Sequence, residues 1–446
     1  MLPPLGDYTE LLQDVWASGW LANGGAQHQA LEAELAQWLQ VPHLSLFNNG
    51  TIALMVACQA LRLTGEVITT PFTFPATPHV LSWNNVTPVF ADIDPETLCI
   101  DPASVATLVT PRTSGILGVH VYGVPCDVNA LGAIAQNHRL RVVYDGAHAF
   151  GTQINGQPIA TYGDATMFSF HATKLFHTAE GGALAVNTPE LKQHIDLLKN
   201  FGIKNENEIV LPGINGKMSE LQAALGRVVL RHVAAERQRR AAILQVYEQR
   251  LAGIPGLRLH GMPDGVTKSL QYLVLRINAD QAGCNRDTLH ERLKRYNIIT
   301  RKYFHPLCSD YDCYRHLPTA RPQHLPNAYR VVSEVLVLPL FGALTADDAA
   351  GFLDNLPDED ELAIRDRAIF ELAYSSGLRV AELVSLKLTD LDLAQGLASV
   401  TGKGNKTRIV PLLAVVTEAV DAYKKLCPYA LAANEPMFLG ARGGKL

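Results

Sequence analysis

Apolar residues recur along this chain in two rhythms. Short uninterrupted runs read as strands buried on both faces, and stretches with apolar residues every three or four positions read as helices. Residues 8–40 alternate helical patterning with a glycine loop, Gly19-Trp20-Leu21-Ala22-Asn23-Gly24-Gly25. The run Leu44-Ser45-Leu46-Phe47 is a strand that ends in Asn48-Asn49-Gly50-Thr51 and opens into a helical pattern over 52–61. Further strands are expected at 66–70, 87–91, 115–121 and 140–144, with a helix over 129–137. Met167-Phe168-Ser169-Phe170 is another apolar run. It crosses a polar turn carrying His171, Thr173 and Lys174, then passes Gly181-Gly182 into Ala183-Leu184-Ala185-Val186. Residues 217–251 predict one long helix with Met218, Leu221, Ala224 and Leu225 on one stripe. Arg237, Arg239 and Arg240 in that helix read as a solvated face. Beyond it the pattern is a strand from Leu257, a helix over 286–295, a strand over 298–303, a loop and a strand over 335–338.

Strands alternating with helices predict an α/β fold around a mainly parallel sheet covered on both faces. In such sheets ligands bind beyond the carboxyl ends of the strands. Thr51, Phe74, Asp145 and Lys174 all follow the ends of predicted strands, so the pattern predicts that they meet at one edge. A chain of 446 residues exceeds one ordinary core. The expected division is a large domain over 1–235, a smaller lobe over 236–350 and a separate segment over 351–446. The texture changes near Ala350, where Pro357-Asp358-Glu359-Asp360-Glu361 precedes a fresh helical pattern over 362–375. Gly377-Leu378-Arg379, a helix over 381–386, a hairpin-like segment at Thr401-Gly402-Lys403-Gly404-Asn405-Lys406 and a helix over 415–425 follow.

Composition narrows the class. With 48% hydrophobic and 18% charged residues the chain reads as soluble and globular. A formal net charge of −5 argues against a globally basic nucleic-acid binder. The seven cysteines are scattered and form no C-x-x-C pair, which predicts reduced thiols and no metal site. The N-terminus lacks a signal-peptide layout and no apolar run reaches membrane-spanning length, so a cytoplasmic protein is expected.

The chemistry begins with Lys174. Burying an ammonium between two apolar strands costs several kcal/mol or strips its proton, and a neutral amine is what Schiff-base chemistry needs. A turn lysine reaching solvent is the alternative for that residue alone. The strand feeding Gly50-Thr51 at a helix start offers free N–H groups and a positive dipole end, which suits a phosphate. An ordinary Asn-Gly turn has the same look.

Taken together, residues 1 to about 350 resemble the DegT/StrS-type sugar aminotransferases. The resemblance rests on an ordered series: SGWLANGG at 18–25, NNGTIAL at 48–54, TTPFTFPAT at 69–77, VFADIDPETLCID at 89–101 and HVYGVPCD at 120–127, then YDGAHAFG at 144–151, FSFHATK at 168–174, EGGA at 180–183 and GINGKMSELQAALG at 213–226. It implies pyridoxal phosphate (PLP) as cofactor on the aspartate-aminotransferase fold (fold type I), with large and small lobes. In that resemblance Lys174 holds PLP as a Schiff base and moves the proton of the reaction. Asp145 bonds the pyridine nitrogen, whose protonation lets the ring accept electrons, or else caps a strand-end turn. His148 stands near the phenolate oxygen, and Phe74 lies on the ring face, where stacking contributes about 0.5–1.5 kcal/mol. Gly50, Thr51 and Ser169 bind the phosphate. Asn215 reaches across a homodimer interface toward the partner's phosphate, unless it simply forms an Asn-Gly turn. The resemblance further implies L-glutamate as amino donor and a nucleotide-linked keto-deoxysugar as acceptor. The motifs at 168–182 and 213–220, with ITRKYFHPL at 299–307, most resemble enzymes making 4-amino-4,6-dideoxy sugars on dTDP, although the 3-amino branch shares much of them; dTDP-4-keto-6-deoxyglucose is the expected substrate. Tyr303 and His305 are candidate sugar contacts or packing residues at a strand end. The chain begins a few residues later than the family norm.

The last segment resembles something else. RDRAIFELAYSSGLRVAELVSLKLTDLDL at 365–393 and VTGKGNKTRIVPL at 400–412 are similar to the catalytic domain of a Xer-type tyrosine recombinase, a mostly α domain. Arg379 matches its first catalytic arginine and Lys403 its hairpin lysine. Lys403, Lys406 and Arg408 on a glycine-flanked hairpin are positioned to hold a DNA phosphate. Strand exchange in that family also needs a tyrosine nucleophile and a downstream His-x-x-Arg pair. No histidine follows His324, and Tyr423 and Tyr429 come too early. The expectation is a partial recombinase-like domain with weak or no DNA binding, inactive in strand exchange.

Overall fold

In the computed structural model the described residues are 1–295, 297–344, 365, 368–369, 372, 378, 380–401, 407–427, 429 and 431–439. The chain divides into two compact units, Met1–Asp354 and Asn355–Leu446.

The first unit opens with helices α1 (Leu5–Ser18) and α2 (Ala26–Leu39). The strand–helix alternation follows as β1 (His43–Phe47), α3 (Gly50–Ala60), β2 (Glu66–Thr69), α4 (Ala76–Trp83) and β3 (Thr87–Phe90). It continues through α5 (Pro102–Leu108), β4 (Thr113–Val119), α6 (Val128–His138) and β5 (Arg141–Asp145). A short hairpin, β6 (Gln153–Ile154) and β7 (Gln157–Pro158), precedes β8 (Ala165–Ser169) and β9 (Gly182–Val186). Next come α7 (Pro189–Leu198), the exposed ribbon β10 (Ile203–Asn205) and β11 (Glu208–Ile209), and the 32-residue helix α8 (Glu220–Leu251).

Seven of these strands form one sheet in the order β1-β9-β8-β5-β4-β2-β3. Within it β9 alone runs against its neighbours β1 and β8, and the pairs β8/β5, β5/β4, β4/β2 and β2/β3 are parallel. The apolar runs therefore lie where both faces are covered, and β2 and β9 are buried at every position. Because β1, β2, β5 and β8 point the same way, their carboxyl ends share one edge. A side-chain cap fixes the start of α3 at this edge: Asn49 accepts the Ile52 N–H at 2.8 Å.

A three-stranded antiparallel sheet follows, built from β12 (Leu257–Leu259), β13 (Leu273–Ile277) and β14 (Val335–Leu338). With it are α9 (Ala279–Ala282), α10 (Arg286–Arg295) and α11 (Pro326–Val332). Val274, Phe304, Val331 and Val335 join Ile116, Val119 and Tyr144 of the large sheet in one continuous apolar core.

Three expectations need correction. Residues 298–303 do not form a strand: Arg301 bridges Val337 once, and the chain then turns back with the His305 N–H on the Lys302 carbonyl at 2.7 Å. The long helix starts at Glu220, because Ser219 and Gln222 close a capping box, so Met218 is buried ahead of the helix. Of the arginine cluster only Arg239 is exposed as a solvated face would be. Arg240 is buried against Glu236 at 2.8 Å and donates to the Leu270 carbonyl, and Arg237 donates to the Lys268 and Ser269 carbonyls. A helical periodicity shows that these residues are charged, but not which loop folds over them.

In the second unit the described residues give helix α12 (Val380–Val384), a three-stranded antiparallel sheet of β15 (Leu391–Asp392), β16 (Leu397–Thr401) and β17 (Thr407–Pro411), and helix α13 (Ala414–Leu426). Leu383, Val400, Val416, Val420, Tyr423 and Phe438 belong to its own apolar core. Most of the helix expected over 362–375 lies outside the described residues. Among the described residues no helix is long and apolar enough to cross a membrane.

Candidate active site

The segment between β8 and β9 leaves the carboxyl edge of the sheet and returns to it. Ser169 pairs with Gly182, and the Phe170 N–H reaches the Gly181 carbonyl at 2.8 Å. Between them the Lys174 N–H donates to the His171 carbonyl at 2.8 Å, which makes the tight turn that carries the lysine. The Lys174 side chain is half-buried. Its Nζ lies 3.5 Å from the Tyr272 hydroxyl and 5.7 Å from the Tyr272 ring centre. Burial pushes the amine down from 10.5 to about 8, with the Asp145 carboxylate pulling the other way. Gln271 brackets this turn: its Nε2 donates to the Thr173 carbonyl at 3.1 Å, and its Oε1 accepts the Leu175 N–H.

Asp145 ends β5 and is buried, only 5% exposed. Its Oδ2 accepts the Thr77 hydroxyl at 2.8 Å and its Oδ1 the Ala147 N–H at 3.0 Å. Burial raises its titration, while those two donors and Lys174 oppose the rise. Three residues on, His148 is buried with its ring parallel to Phe304 at 5.7 Å and edge-on to Tyr272 at 4.8 Å. Burial, aided by Lys174, holds the imidazole well below its ordinary range, so it is neutral. Its Nδ1 accepts the Tyr122 N–H at 3.3 Å, which leaves Nε2 as the protonated, donating nitrogen. Tyr122 adopts a left-handed backbone, φ 54°, to present that N–H.

Gly50 opens α3 against the end of β8. A Cβ on it would meet Met167 Sδ at 3.0 Å and Ser169 Cβ at 3.2 Å, so a larger residue would have to move these neighbours by a few tenths of an ångström. Thr51 is exposed and Ser169 half-buried beside this helix start. The two phenylalanines of the 69–77 motif separate cleanly. Phe72 is fully buried and Phe74 is 56% exposed, free to cover the face of a flat ligand.

The remaining candidates divide. Tyr303 is half-buried, edge-on to Tyr272 at 5.8 Å, and its carbonyl accepts the Tyr122 hydroxyl. His305 is exposed, so it is not a packing residue. Asn215 is also exposed, with Oδ1 accepting from Lys217 Nζ at 2.7 Å, and its backbone accepts weakly from Asn48 at 3.5 Å. Sequence reasoning did not assign Thr77, Tyr122, Gln271 or Tyr272. Thr77 and Tyr122 lie inside motifs quoted above, and Gln271 and Tyr272 carry no signal short of the fold.

As chemistry, this edge offers four things together: an amine with a lowered pKa, a buried carboxylate, an open aromatic face and a helix N-terminus. That set suits a flat ligand with a basic nitrogen at one end and an anionic group at another.

In the second unit Arg379 and Lys403 lie outside the described residues. Arg408 does not present a free fork to a phosphate. It makes two bonds to Glu382, at 2.9 and 2.8 Å, from β17. Tyr423 is a core residue whose hydroxyl donates to the Met437 carbonyl and accepts the Leu439 N–H, each at 3.1 Å.

Residues 6–356 match the profile of the DegT/DnrJ/EryC1/StrS aminotransferase family, and residues 343–445 that of the phage integrase family. The chain is 42% identical over 350 residues to dTDP-4-amino-4,6-dideoxy-D-glucose transaminase of Escherichia coli, spanning 78% of this chain and 93% of that protein. It is 35% identical over 367 residues to the spore coat polysaccharide biosynthesis protein SpsC of Bacillus subtilis, spanning 79% and 93%. Among solved structures, DesI in the presence of its TDP-sugar product superimposes with a TM-score of 0.76 at 38% identity, covering 82% of this chain and 93% of that one. Helicobacter pylori PseC, an aminotransferase involved in pseudoaminic acid biosynthesis, gives 0.72 at 26% identity, covering 78% and 94%.

Proposed function

The chain belongs to the DegT/DnrJ/EryC1/StrS aminotransferase family, and on that premise we propose that it moves an amino group from L-glutamate to the keto group of dTDP-4-keto-6-deoxyglucose, with PLP as cofactor. The observation that carries the reading is the amine of Lys174, lowered to about 8 and within electrostatic reach of the buried Asp145 carboxylate. The named transaminase relative supports the substrate.

The residues fit the cofactor. Asp145, desolvated and satisfied by only two donors, favours a positively charged partner and would hold the pyridine nitrogen in its protonated form. Gly50, Thr51 and Ser169 at the start of α3 would hold the phosphate. Phe74 would cover one ring face, and neutral His148 would donate from Nε2 to the phenolate oxygen. When bound, PLP supplies the electron sink that lets the donor's α-carbon lose a proton.

Lys174 Nζ does the proton work. An amine titrating near 8 is partly neutral at physiological pH, so it takes the α-carbon proton as base and returns a proton to the carbon that becomes aminated. Tyr122, Tyr272 and Phe304 pack ring against ring beside it and keep bulk water from the reacting atoms. Tyr303 extends that aromatic wall toward the sugar, and His305 contacts the sugar from the exposed rim. Asn215, at the surface, completes the phosphate site of a second copy in a homodimer.

The test is the visible spectrum of the PLP-loaded chain beside a Lys174→Ala variant. The wild type should show a cofactor band that glutamate bleaches and the keto sugar restores, and the variant should lack that band. A wild-type chain that stays colourless with added PLP would overturn the proposal.

A further inference from the structure

We propose that Gln271 is a positioning residue for Lys174, holding the backbone on both sides of the lysine with its single carboxamide. The proposal rests on the reading of Lys174 as the reactive amine.

Residues 171–180 leave the sheet ladder, so their backbone groups must find partners elsewhere. Flanking Lys174 are one orphan acceptor, the Thr173 carbonyl, and one orphan donor, the Leu175 N–H. A carboxamide offers a donor and an acceptor on one rigid plane. Gln271 uses both here, Nε2 to the Thr173 carbonyl at 3.1 Å and Oε1 to the Leu175 N–H. Two bonds that straddle one residue fix the peptide planes before and after it, and so fix the direction in which its side chain leaves the backbone.

Gln271 is itself immobilised. It is 8% exposed, and its N–H faces Ser269 Oγ at 3.4 Å. The two residues before it are tied to α8: Arg237 binds the Ser269 carbonyl at 3.3 Å and Arg240 the Leu270 carbonyl at 3.1 Å. The residue after it, Tyr272, brings its hydroxyl to 3.5 Å from Lys174 Nζ. One segment therefore governs both the root and the tip of the lysine. Gln271 touches no reacting atom, so its effect runs through the 173–175 backbone alone.

The test uses the full-length chain freed of cofactor, as wild type, Gln271→Glu and Gln271→Met. Lys174 is acetylated with acetic anhydride across a pH series and followed by peptide mass spectrometry, with exposed Lys204 as internal reference. The Gln271→Glu change keeps the acceptor and removes the donor, and Gln271→Met removes both. The labelling midpoint of Lys174, about 8 in the wild type, should rise in Q271M, which adds no charge, with Lys204 unmoved; in Q271E the new carboxylate raises it as well, so Q271M decides the positioning role. In the PLP-loaded enzymes kcat should fall about 10- to 100-fold while KM for glutamate changes less than about twofold. Midpoints that superimpose on the wild type would overturn the proposal. If Q271M does not fold, Gln271→Leu, likewise uncharged, decides in its place. Labelling needs neither cofactor nor turnover, so a moved midpoint in a chain with no transaminase activity would reject the proposed reaction and keep the positioning role. An active wild type with unmoved midpoints would do the reverse.

Discussion

Asp145 and Lys174 stand within electrostatic reach of one another, and each partly reverses what burial does to the other. Burial raises the carboxyl and lowers the amine, while the opposite charge restores both charged forms. The balance leaves an amine that titrates near 8 beside a carboxylate.

That balance is testable by removing one side. Asp145→Asn deletes the attraction opposing desolvation of Lys174, so the lysine should titrate below about 8 in the cofactor-free chain. The pH midpoint of acetylation at Lys174 measures this. A midpoint that stays or rises would show that Asp145 exerts no field at the amine.

Lys174 should also make folding depend on pH. It binds its proton less tightly folded than unfolded. Below about pH 8 both states hold the proton and the folded state carries the full penalty. Between about 8 and 10.5 the unfolded chain alone stays protonated, so stability rises with pH, and above 10.5 the penalty is gone. Full burial would make this on the order of 3 kcal/mol, and the partial exposure of the side chain reduces it to about 1–2 kcal/mol. Lys174→Met should therefore stabilise the cofactor-free chain at pH 7, with the gain fading toward pH 10. Urea melts at the two pH values check it, and a gain independent of pH would point to packing alone.

Much of this site is legible in the sequence because its parts sit at strand ends. A strand announces itself as an apolar run, so Thr51, Phe74, Asp145 and Lys174 can be placed on one edge before any coordinates. Their supports cannot. Thr77 meets Asp145 across 68 positions, and Tyr272 meets Lys174 across 98. Neither pair lies within one element, so no periodicity links them. The strand expected over 298–303 fails for a related reason: Tyr303, and Phe304 just beyond it, pack against Tyr272 and Tyr122 and not in a ladder.

The Glu236–Arg240 pair gives a third prediction. Both side chains are buried, and the carboxylate also accepts the Gly342 N–H at 2.9 Å and Arg239 at 3.0 Å. Glu236→Leu would leave Arg240 charged, buried and without that partner, a change that costs about 3–5 kcal/mol. Replacing both, as Glu236→Leu with Arg240→Met, should cost clearly less, because no charge stays buried. Denaturant unfolding of the two variants decides it. Equal losses would mean that the pair acts only through the volume it fills.

The last prediction concerns the second unit. A phosphate needs a basic fork free to turn toward it, and Arg408 spends two donors on Glu382, whose side chain is only 6% exposed. Drawing Arg408 onto DNA would strip a buried carboxylate of this bidentate partner, so the pair opposes binding. The chain's net charge of −5 adds general repulsion. Filter binding of the full-length chain to duplex DNA should therefore show little retention at physiological salt. Glu382→Gln, which removes the competing charge and keeps the shape, should raise retention, and the increase should fall away as salt is added, because phosphate contacts release counterions. Strong, salt-sensitive retention by the unaltered chain that Arg408→Ala abolishes would show that Arg408 leaves Glu382 for the phosphate. In that case the ion pair would be a resting contact of a DNA-binding surface and not a lock on it.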